Sequence, residues 1–149
     1  MTAAEAMEAH AMPLARVVHC DENAAATPEQ LPLPSAVAKK PVEQKSPAEW
    51  AYERLILYLK NFEEQLDKNH EVELGFTGST AGVLRIEGVG YFDPDILTFY
   101  GSDEDGTKMQ LIQHVTQLNV VLRAISKLTP AEEPARRIGF RLAQDLGEA

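Results

Sequence analysis

The sequence predicts a single α+β domain, in which a long N-terminal helix packs on a strongly bent antiparallel sheet of four to five strands. Between residues 82 and 123, short apolar runs alternate with Gly, Asp and Pro, a pattern typical of antiparallel strands joined by tight turns. A segment with helical apolar spacing precedes them. A chain of 149 residues is long enough for one such domain and hardly for two.

Residues 1–45 differ in composition from the rest of the chain. They are rich in Ala, Pro, Glu and Gln, and no apolar period of strand or helix type persists through them. This composition predicts a disordered tail, followed by one domain at residues 46–149. The LPLPS sequence at 31–35 is compatible with a polyproline II segment that docks on a partner, although a plain linker is favoured.

The helix is predicted to begin after Ser46 and to run to about Lys68. Ser46-Pro47-Ala48-Glu49 has the form of a capping box, with Pro at a position that suits the first helical residue. Trp50, Tyr52 and Leu57 widen the apolar surface, so we expect burial on more than one side. A core helix is favoured over one that also contacts a second subunit. The main stripe consists of Ala51, Leu55, Tyr58, Leu59, Phe62 and Leu66.

Four strands are expected after the helix. Gly88 and Gly90 lie inside the second strand and predict a bend or bulge there. Turns are predicted where Gly, Asp, Ser and Pro cluster, at 77–82, 93–95 and 102–106. The strands themselves are predicted at 71–76, 83–92, 96–101 and 107–113.

Two later segments are less well defined by their pattern. Residues 117–125 fit both an alternating strand and a helical stripe, and the adjacent Val120 and Val121 favour the strand. Residues 138–142 are interpreted as one more short strand after a polar, Pro-containing link.

Charge and targeting signals limit the functional classes. The net charge is −9, and most of it falls after residue 45, where the chain has seventeen acidic and ten basic residues. This acidity excludes DNA binding and disfavours RNA binding, because affinity for nucleic acids depends mainly on Lys and Arg. No membrane span or signal peptide is expected, and the single Cys20 fits a reducing compartment. The predicted location is the cytoplasm.

No metal, cofactor or catalytic activity is expected. Asp103, Glu104 and Asp105 lack the Glu that closes a calcium-binding loop, so they are interpreted as solvated turn residues. No base motif accompanies the hydroxyls of the predicted turns, and we therefore expect a protein that is not an enzyme. Those hydroxyls belong to Ser79, Thr80, Ser102 and Thr107.

From about Ser46 onwards, the chain resembles an uncharacterised bacterial family of domains of unknown function. The resemblance lies in QLIQHVTQLNVVLRAI at 110–125, in GYFDPDILTFYG upstream of it, and in RRIGF downstream. It implies no particular activity.

Residues 55–125 also resemble the Sm-like fold of bacterial RNA chaperones. That family has a bent second strand leading into a Phe-Asp pair, and a Lys-His pair between its last two strands. The resemblance implies an open barrel and single-stranded RNA binding, but Gln113 stands where the family has Lys, and the predicted helix is about twice the usual length. The residues at comparable places are Gly88, Phe92, Asp93, Ile96, Leu97 and His114.

The sequence therefore predicts a non-catalytic module that forms a homo-oligomer and binds another protein, with single-stranded RNA binding as the alternative. Residues 108–112 and 118–122 are the candidate strands for pairing between copies. At His114 we favour a structural hydrogen-bonding role over contact with a base. The candidate binding residues are Tyr91, Phe92, Tyr100, Gln113 and His114, and the candidate interface residues are Trp50, Leu57, Lys108 and Arg123.

Overall fold

The protein is an α+β domain whose five-stranded antiparallel open sheet packs against a helix, as the sequence predicts. The structure is a computed structural model that describes residues 14–76, 82–127, 130 and 132–148, so most of the predicted turn at 77–82 lies outside the described residues. The helices are α1 (Ser35–Ala38), α2 (Pro47–Glu64) and α3 (Ile138–Glu148), and the strands are β1 (His70–Phe76), β2 (Val83–Phe92), β3 (Ile96–Ser102), β4 (Lys108–His114) and β5 (Val120–Ser126).

The strand order across the sheet is β4-β3-β2-β1-β5. Strand β2 pairs with β1 only near its start, at Leu84 and Val83, and with β3 along the rest of its length. The register with β3 shifts between Ile86 and Gly88, which confirms the irregularity predicted there. Gly101 allows the close approach of the strands at this bulge, because a Cβ at that position would lie 2.4 Å from the backbone oxygen of Arg85.

The core lies between α2 and one face of the sheet. The rings of Phe76 and Phe99 meet edge to face, with centroids 4.9 Å apart, and both are buried. The other core side chains come from α2 (Ala51, Leu55, Ile56, Leu59), from the sheet (Val72, Leu74, Leu84, Ile86, Val89, Leu97) and from α3 (Leu142).

Helix α2 has 18 residues and ends at Glu64, so it is shorter than the predicted helix that reaches Lys68. The amide of Gln65 donates to the carbonyl of Phe62 at 3.2 Å, and this tightens the last turn. Asp67 then accepts a hydrogen bond from the amide of Asn69 at 2.8 Å and begins the turn into β1.

The predicted cap at the start of α2 is present. The hydroxyl oxygen of Ser46 accepts a hydrogen bond from the amide of Glu49 at 3.0 Å. The carboxylate of Glu49 pairs with Lys40 instead of completing a capping box. The Ser46 hydroxyl also donates to Asp93, and these two contacts join the start of the helix to the β2–β3 turn.

We expect Ser46→Ala to lower the free energy of unfolding by about 0.5–2 kcal/mol, the usual cost of losing an N-cap side chain. Urea unfolding monitored by circular dichroism measures the change. Ser35→Ala is the matched control, because Ser35 is an exposed residue at the start of the short helix α1, which has no side-chain cap bond. Equal stability of the two variants would contradict a capping role for Ser46.

The prediction of a strand at 138–142 is wrong, because these residues begin helix α3. The five predicted residues are too few to reveal the helical spacing of Ile138, Leu142 and Leu146, all of which pack against the core. Arg137 anchors the start of the helix by donating to the carbonyls of His70 at 2.7 Å and Asp67 at 2.9 Å.

Buried Glu63 of α2 lies at the start of α3. Its Oε1 atom accepts a hydrogen bond from the amide of Phe140 at 3.2 Å, so the carboxylate occupies the amino-terminal end of α3. Burial nevertheless raises the pKa of Glu63. Gly139 packs directly against the α2 backbone beside it.

The ambiguous segment 117–125 divides between two conformations. A 3₁₀ turn, Val115–Gln117, precedes β5, which pairs with β1 along its whole length. The favoured strand interpretation is therefore confirmed from Val120 onwards. The 3₁₀ turn overlaps the ambiguous segment only at Gln117.

The N-terminal strap, residues 14–45, lies against α2. Val37 is only 1% exposed, and its carbonyl accepts a hydrogen bond from Lys45. Lys45 also forms a buried ion pair with Glu53 of α2, at 2.8 Å. The division at Ser46 into a disordered tail and a domain stays a prediction, but the composition of this segment gave no sign of the buried contacts described here.

Candidate interaction surfaces

The first candidate surface consists of the two edges of the sheet. Among the described residues, no further strand pairs with the outer side of β4 or of β5. The side chains that these strands direct towards the core remain only partly buried. They are Met109 and Leu111 on β4, and Val120 and Leu122 on β5. Each edge therefore offers unpaired backbone groups beside incompletely covered apolar side chains.

On the opposite face, each edge strand carries an exposed apolar side chain. Ile112 of β4 is 63% exposed and Val121 of β5 is 46% exposed. Isolated surface hydrophobic residues need no explanation, but these two lie on strands with a free edge. The strands predicted as candidates for pairing are thus the two edge strands of the sheet.

The predicted interface residues Lys108 and Arg123 lie on opposite edges. Lys108 forms an ion pair with Glu87 at 2.9 Å, and Arg123 forms one with Glu73 at 3.6 Å. Charged side chains on edge strands are a common device against uncontrolled pairing. Here each charge is already paired with a carboxylate of its own chain.

Three of the five predicted binding residues lie on the outer face of the sheet, which is the face directed away from the core. They are Phe92, Tyr100 and His114. Phe92, Ile96 and His114 form a row across β2, β3 and β4, and Tyr100 lies on the same face next to Gly88. Phe92 is 75% exposed and Tyr100 is 43% exposed. The outer face therefore presents two accessible aromatic rings.

The remaining two, Tyr91 and Gln113, point to the core-facing side of the sheet. Each lies opposite buried Leu97 on the neighbouring strand. The Tyr91 ring packs against Tyr52 with centroids 4.9 Å apart, and partial burial raises its pKa. The Gln113 Oε1 atom is buried and has no hydrogen-bond partner in the described parts of the chain. The five predicted residues consequently do not form one site.

His114 stabilises the end of β4. Its Nδ1 atom accepts a hydrogen bond from the amide of Thr116 at 3.1 Å, and its Nε2 atom lies 3.1 Å from the carboxylate of Asp95. The amide of His114 in turn donates to the side chain of Gln117. His114 and Gln117 thus form a capping box at the start of the 3₁₀ turn. This corresponds to the structural role favoured from the sequence.

The predicted interface residues Trp50 and Leu57 lie on α2 and not on an edge strand. Trp50 is 9% exposed, and the charged groups of Lys45 and Arg54 lie 4.7 and 4.8 Å from its ring centroid. Part of the second apolar side of α2 is therefore covered by the strap of the same chain.

The second candidate surface, which we call the strap groove, lies between the strap and α2 and has a volume of about 430 Å³. This groove is not predicted from the sequence, because its walls are far apart in the chain. The only signal was the LPLPS segment, which contributes Leu31, Pro32 and Leu33. The other lining residues are Leu14, Ala15, Pro28, Glu29, Trp50, Ala51, Arg54, Leu55, Leu57, Tyr58 and Leu118.

The described residues contain neither a candidate metal site nor a candidate membrane span. Within the described ranges, no group of three or more His, Cys, Asp or Glu side chains is placed to hold a metal ion. No described helix combines the length and the apolar character needed to cross a bilayer. The surfaces found are thus a pair of sheet edges, an outer face with exposed aromatic rings, and an apolar groove.

Residues 41–141 match the sequence model of DUF6173, a family of unknown function. The chain belongs to this family. The DUF6173 match begins in the strap, covers α2 and all five strands, and ends within α3, so it includes both sheet edges. No curated protein and no solved structure matches the chain.

Proposed function

We propose that this DUF6173 protein is a non-catalytic interaction module, which assembles with copies of itself through its sheet edges and binds another protein. The observation that supports it best is the pair of edges at opposite ends of one sheet, with which no strand of the described residues pairs. Unpaired strands bind other strands readily, because their backbone donors and acceptors lack partners. A cytoplasmic location stays a prediction from the sequence.

A head-to-tail arrangement, in which β4 of one copy pairs with β5 of the next, uses both edges. A two-fold dimer through one edge would leave the other edge of each copy exposed. Head-to-tail pairing also covers the partly buried side chains of both strands, such as Leu111 and Leu122. If its rotation closes, such an assembly forms a ring with no free edge.

The outer face is the proposed site for another protein. Phe92 and Tyr100 stay exposed there after the edges pair, because they lie on β2 and β3 in the middle of the sheet. Exposed aromatic side chains contribute strongly to protein–protein contacts. The acidity of the chain favours a partner with a basic surface.

Light scattering of the full chain tests the assembly. We expect an oligomer at micromolar concentration, and we expect Ile112→Lys or Val121→Lys to raise its dissociation constant at least about tenfold, because each places a charge at a contact. Phe92→Lys is the matched control, since Phe92 is similarly exposed but does not lie on an edge strand.

Mixing the two edge variants distinguishes the pairing modes. Ile112→Lys retains an intact β5 edge and Val121→Lys retains an intact β4 edge, so head-to-tail pairing predicts that the mixture forms heterodimers. Pairing of like edges predicts that one variant still assembles alone. A monomeric wild-type protein, or equal effects of all three substitutions, would contradict the proposal.

Single-stranded RNA binding is the second candidate function. It is favoured by the exposed rings of Phe92 and Tyr100, which lie on the face where β2 runs into Phe92-Asp93. The acidity of the chain and the absence of a Lys at Gln113 count against it. The Sm-like resemblance stays a prediction. Micromolar binding of a uridine-rich strand that weakens steeply with added salt would favour this candidate over the first.

A further inference from the structure

We propose that the strap groove binds a small amphiphilic carboxylate, with its apolar body between the strap and α2 and its carboxylate on the guanidinium of Arg54. This site is separate from the sheet edges and does not depend on the assembly proposed above. An apolar compound of fatty-acid type, with one anionic group, has the required chemistry.

The size and lining of the groove fit such a ligand. A volume of about 430 Å³ lies within the range of about 300–1,000 Å³ that is usual for small-molecule sites. One wall is the α2 surface around Trp50 and Leu57, and the opposite wall includes Leu31 and Leu33 of the strap. Apolar walls with a few polar groups are typical of ligand pockets.

Arg54 is the polar group in the groove with unused hydrogen-bonding capacity. Its Nε atom donates to the carbonyl of Trp50 at 3.3 Å, and its guanidinium lies over the Trp50 ring. Arg54 is exposed, and its two terminal nitrogens have no protein acceptor within the described part of the chain, so they are accessible to a ligand. A ligand carboxylate would accept hydrogen bonds from both terminal nitrogens.

The other charged group of the groove, Glu29, already has partners. Its carboxylate accepts a hydrogen bond from the hydroxyl of Tyr58, which lowers the pKa of Glu29. Burial and this contact raise the pKa of Tyr58 to about 12, so the hydroxyl remains a donor. Glu29 thus remains ionised and is held by Tyr58, whereas the terminal nitrogens of Arg54 have no protein acceptor, so an anionic group binds at the Arg54 end of the groove.

The strap is held over α2 by polar contacts on one side of the groove. The amide of Asn61 donates to the carbonyl of Ala26 at 2.8 Å, and Tyr58 donates to Glu29. A ligand that contacts Leu31 and Leu33 on one wall and Trp50 on the other would add apolar contacts between the strap and the helix. Binding therefore stabilises the position of the strap.

The first experiment is a titration of the full chain with decanoate, kept below its micelle concentration, followed through the fluorescence of Trp50. This is the single tryptophan of the chain, and it lines the groove. We expect saturable binding at one site. Decanol, which has the same apolar body without the charge, should bind about tenfold more weakly, because it lacks the charge-assisted hydrogen bonds to Arg54.

Calorimetry on variants tests the role of Arg54 without relying on the indole signal. Arg54→Gln should lose about tenfold in decanoate affinity and keep its decanol affinity, which also shows that the groove remains intact. Arg54→Lys should keep the preference for decanoate. Arg141→Gln is the matched control, since Arg141 is an exposed residue of α3 that does not line the groove, and it should bind decanoate like the wild type.

Four results would overturn the proposal. The first is the absence of saturable decanoate binding to the wild-type chain, and the second is equal affinity for decanoate and decanol. The third is an unchanged decanoate affinity in Arg54→Gln. Several equivalent sites per chain would likewise indicate general surface adsorption and contradict a defined groove.

Discussion

Phe99→Ala should lower the free energy of unfolding by about 3–5 kcal/mol, the usual cost of truncating a fully buried Phe. Phe99 lies on the inner strand β3, is 0% exposed, and contacts the Phe76 ring edge to face. Removing the ring loses its transfer free energy and leaves a cavity that the two packed layers cannot close fully. Urea unfolding followed by circular dichroism measures this loss.

Phe92→Ala is the matched control for this prediction. Phe92 belongs to the neighbouring strand β2, but its side chain is 75% exposed. Truncation there should change the free energy of unfolding by no more than about 0.5 kcal/mol, as is usual for surface positions. Similar losses for the two variants would show that Phe99 is not at the centre of the core.

Gly139→Ala should destabilise the protein and displace α3 from α2. An added Cβ would lie 2.6 Å from the backbone nitrogen of Lys60, 2.7 Å from the carbonyl carbon of Leu59 and 2.7 Å from Oε1 of Glu63. The first two atoms belong to the backbone of α2, so they cannot move without shifting the helix. We expect a loss of at least about 1–3 kcal/mol, as for other overpacked positions.

Gly147→Ala is the control on the same helix. A Cβ at Gly147 would meet no atom within 4 Å, so the substitution should be neutral or should stabilise the helix by up to about 0.5–1 kcal/mol. Hydrogen exchange of the α3 amides adds a local measurement. Faster exchange is expected in Gly139→Ala alone, and unchanged exchange there would show that α2 and α3 are not closely packed at Gly139.

The strands could be predicted from the sequence because their signals are local. Alternating side chains and turn residues predicted β2 at its observed ends, and predicted β1, β3 and β4 to within one residue at either end. The cap at Ser46 and the bulge beside Gly88 were predicted for the same reason, since each depends on a few neighbouring residues.

The candidate sites were predicted less completely. Lys108 and Arg123 lie on the two edge strands, but their role in an interface between copies stays a prediction. Tyr91 and Gln113 were grouped with Phe92 and His114, although alternation directs each pair of neighbours to opposite faces. The groove was not predicted at all, since its two walls come from segments far apart in the chain.

Patterns of neighbouring residues in the amino-acid sequence thus established the class of fold, the start of α2 and nearly every strand. Tertiary packing decided that 138–148 is a helix, because its apolar stripe gains a partner only when α2 is beside it. Packing also decided that Phe99 is buried while Phe92 is exposed, and that β4 and β5 are the edge strands of the sheet. Each of these outcomes depends on contacts between distant residues, whose free energies no local pattern contains.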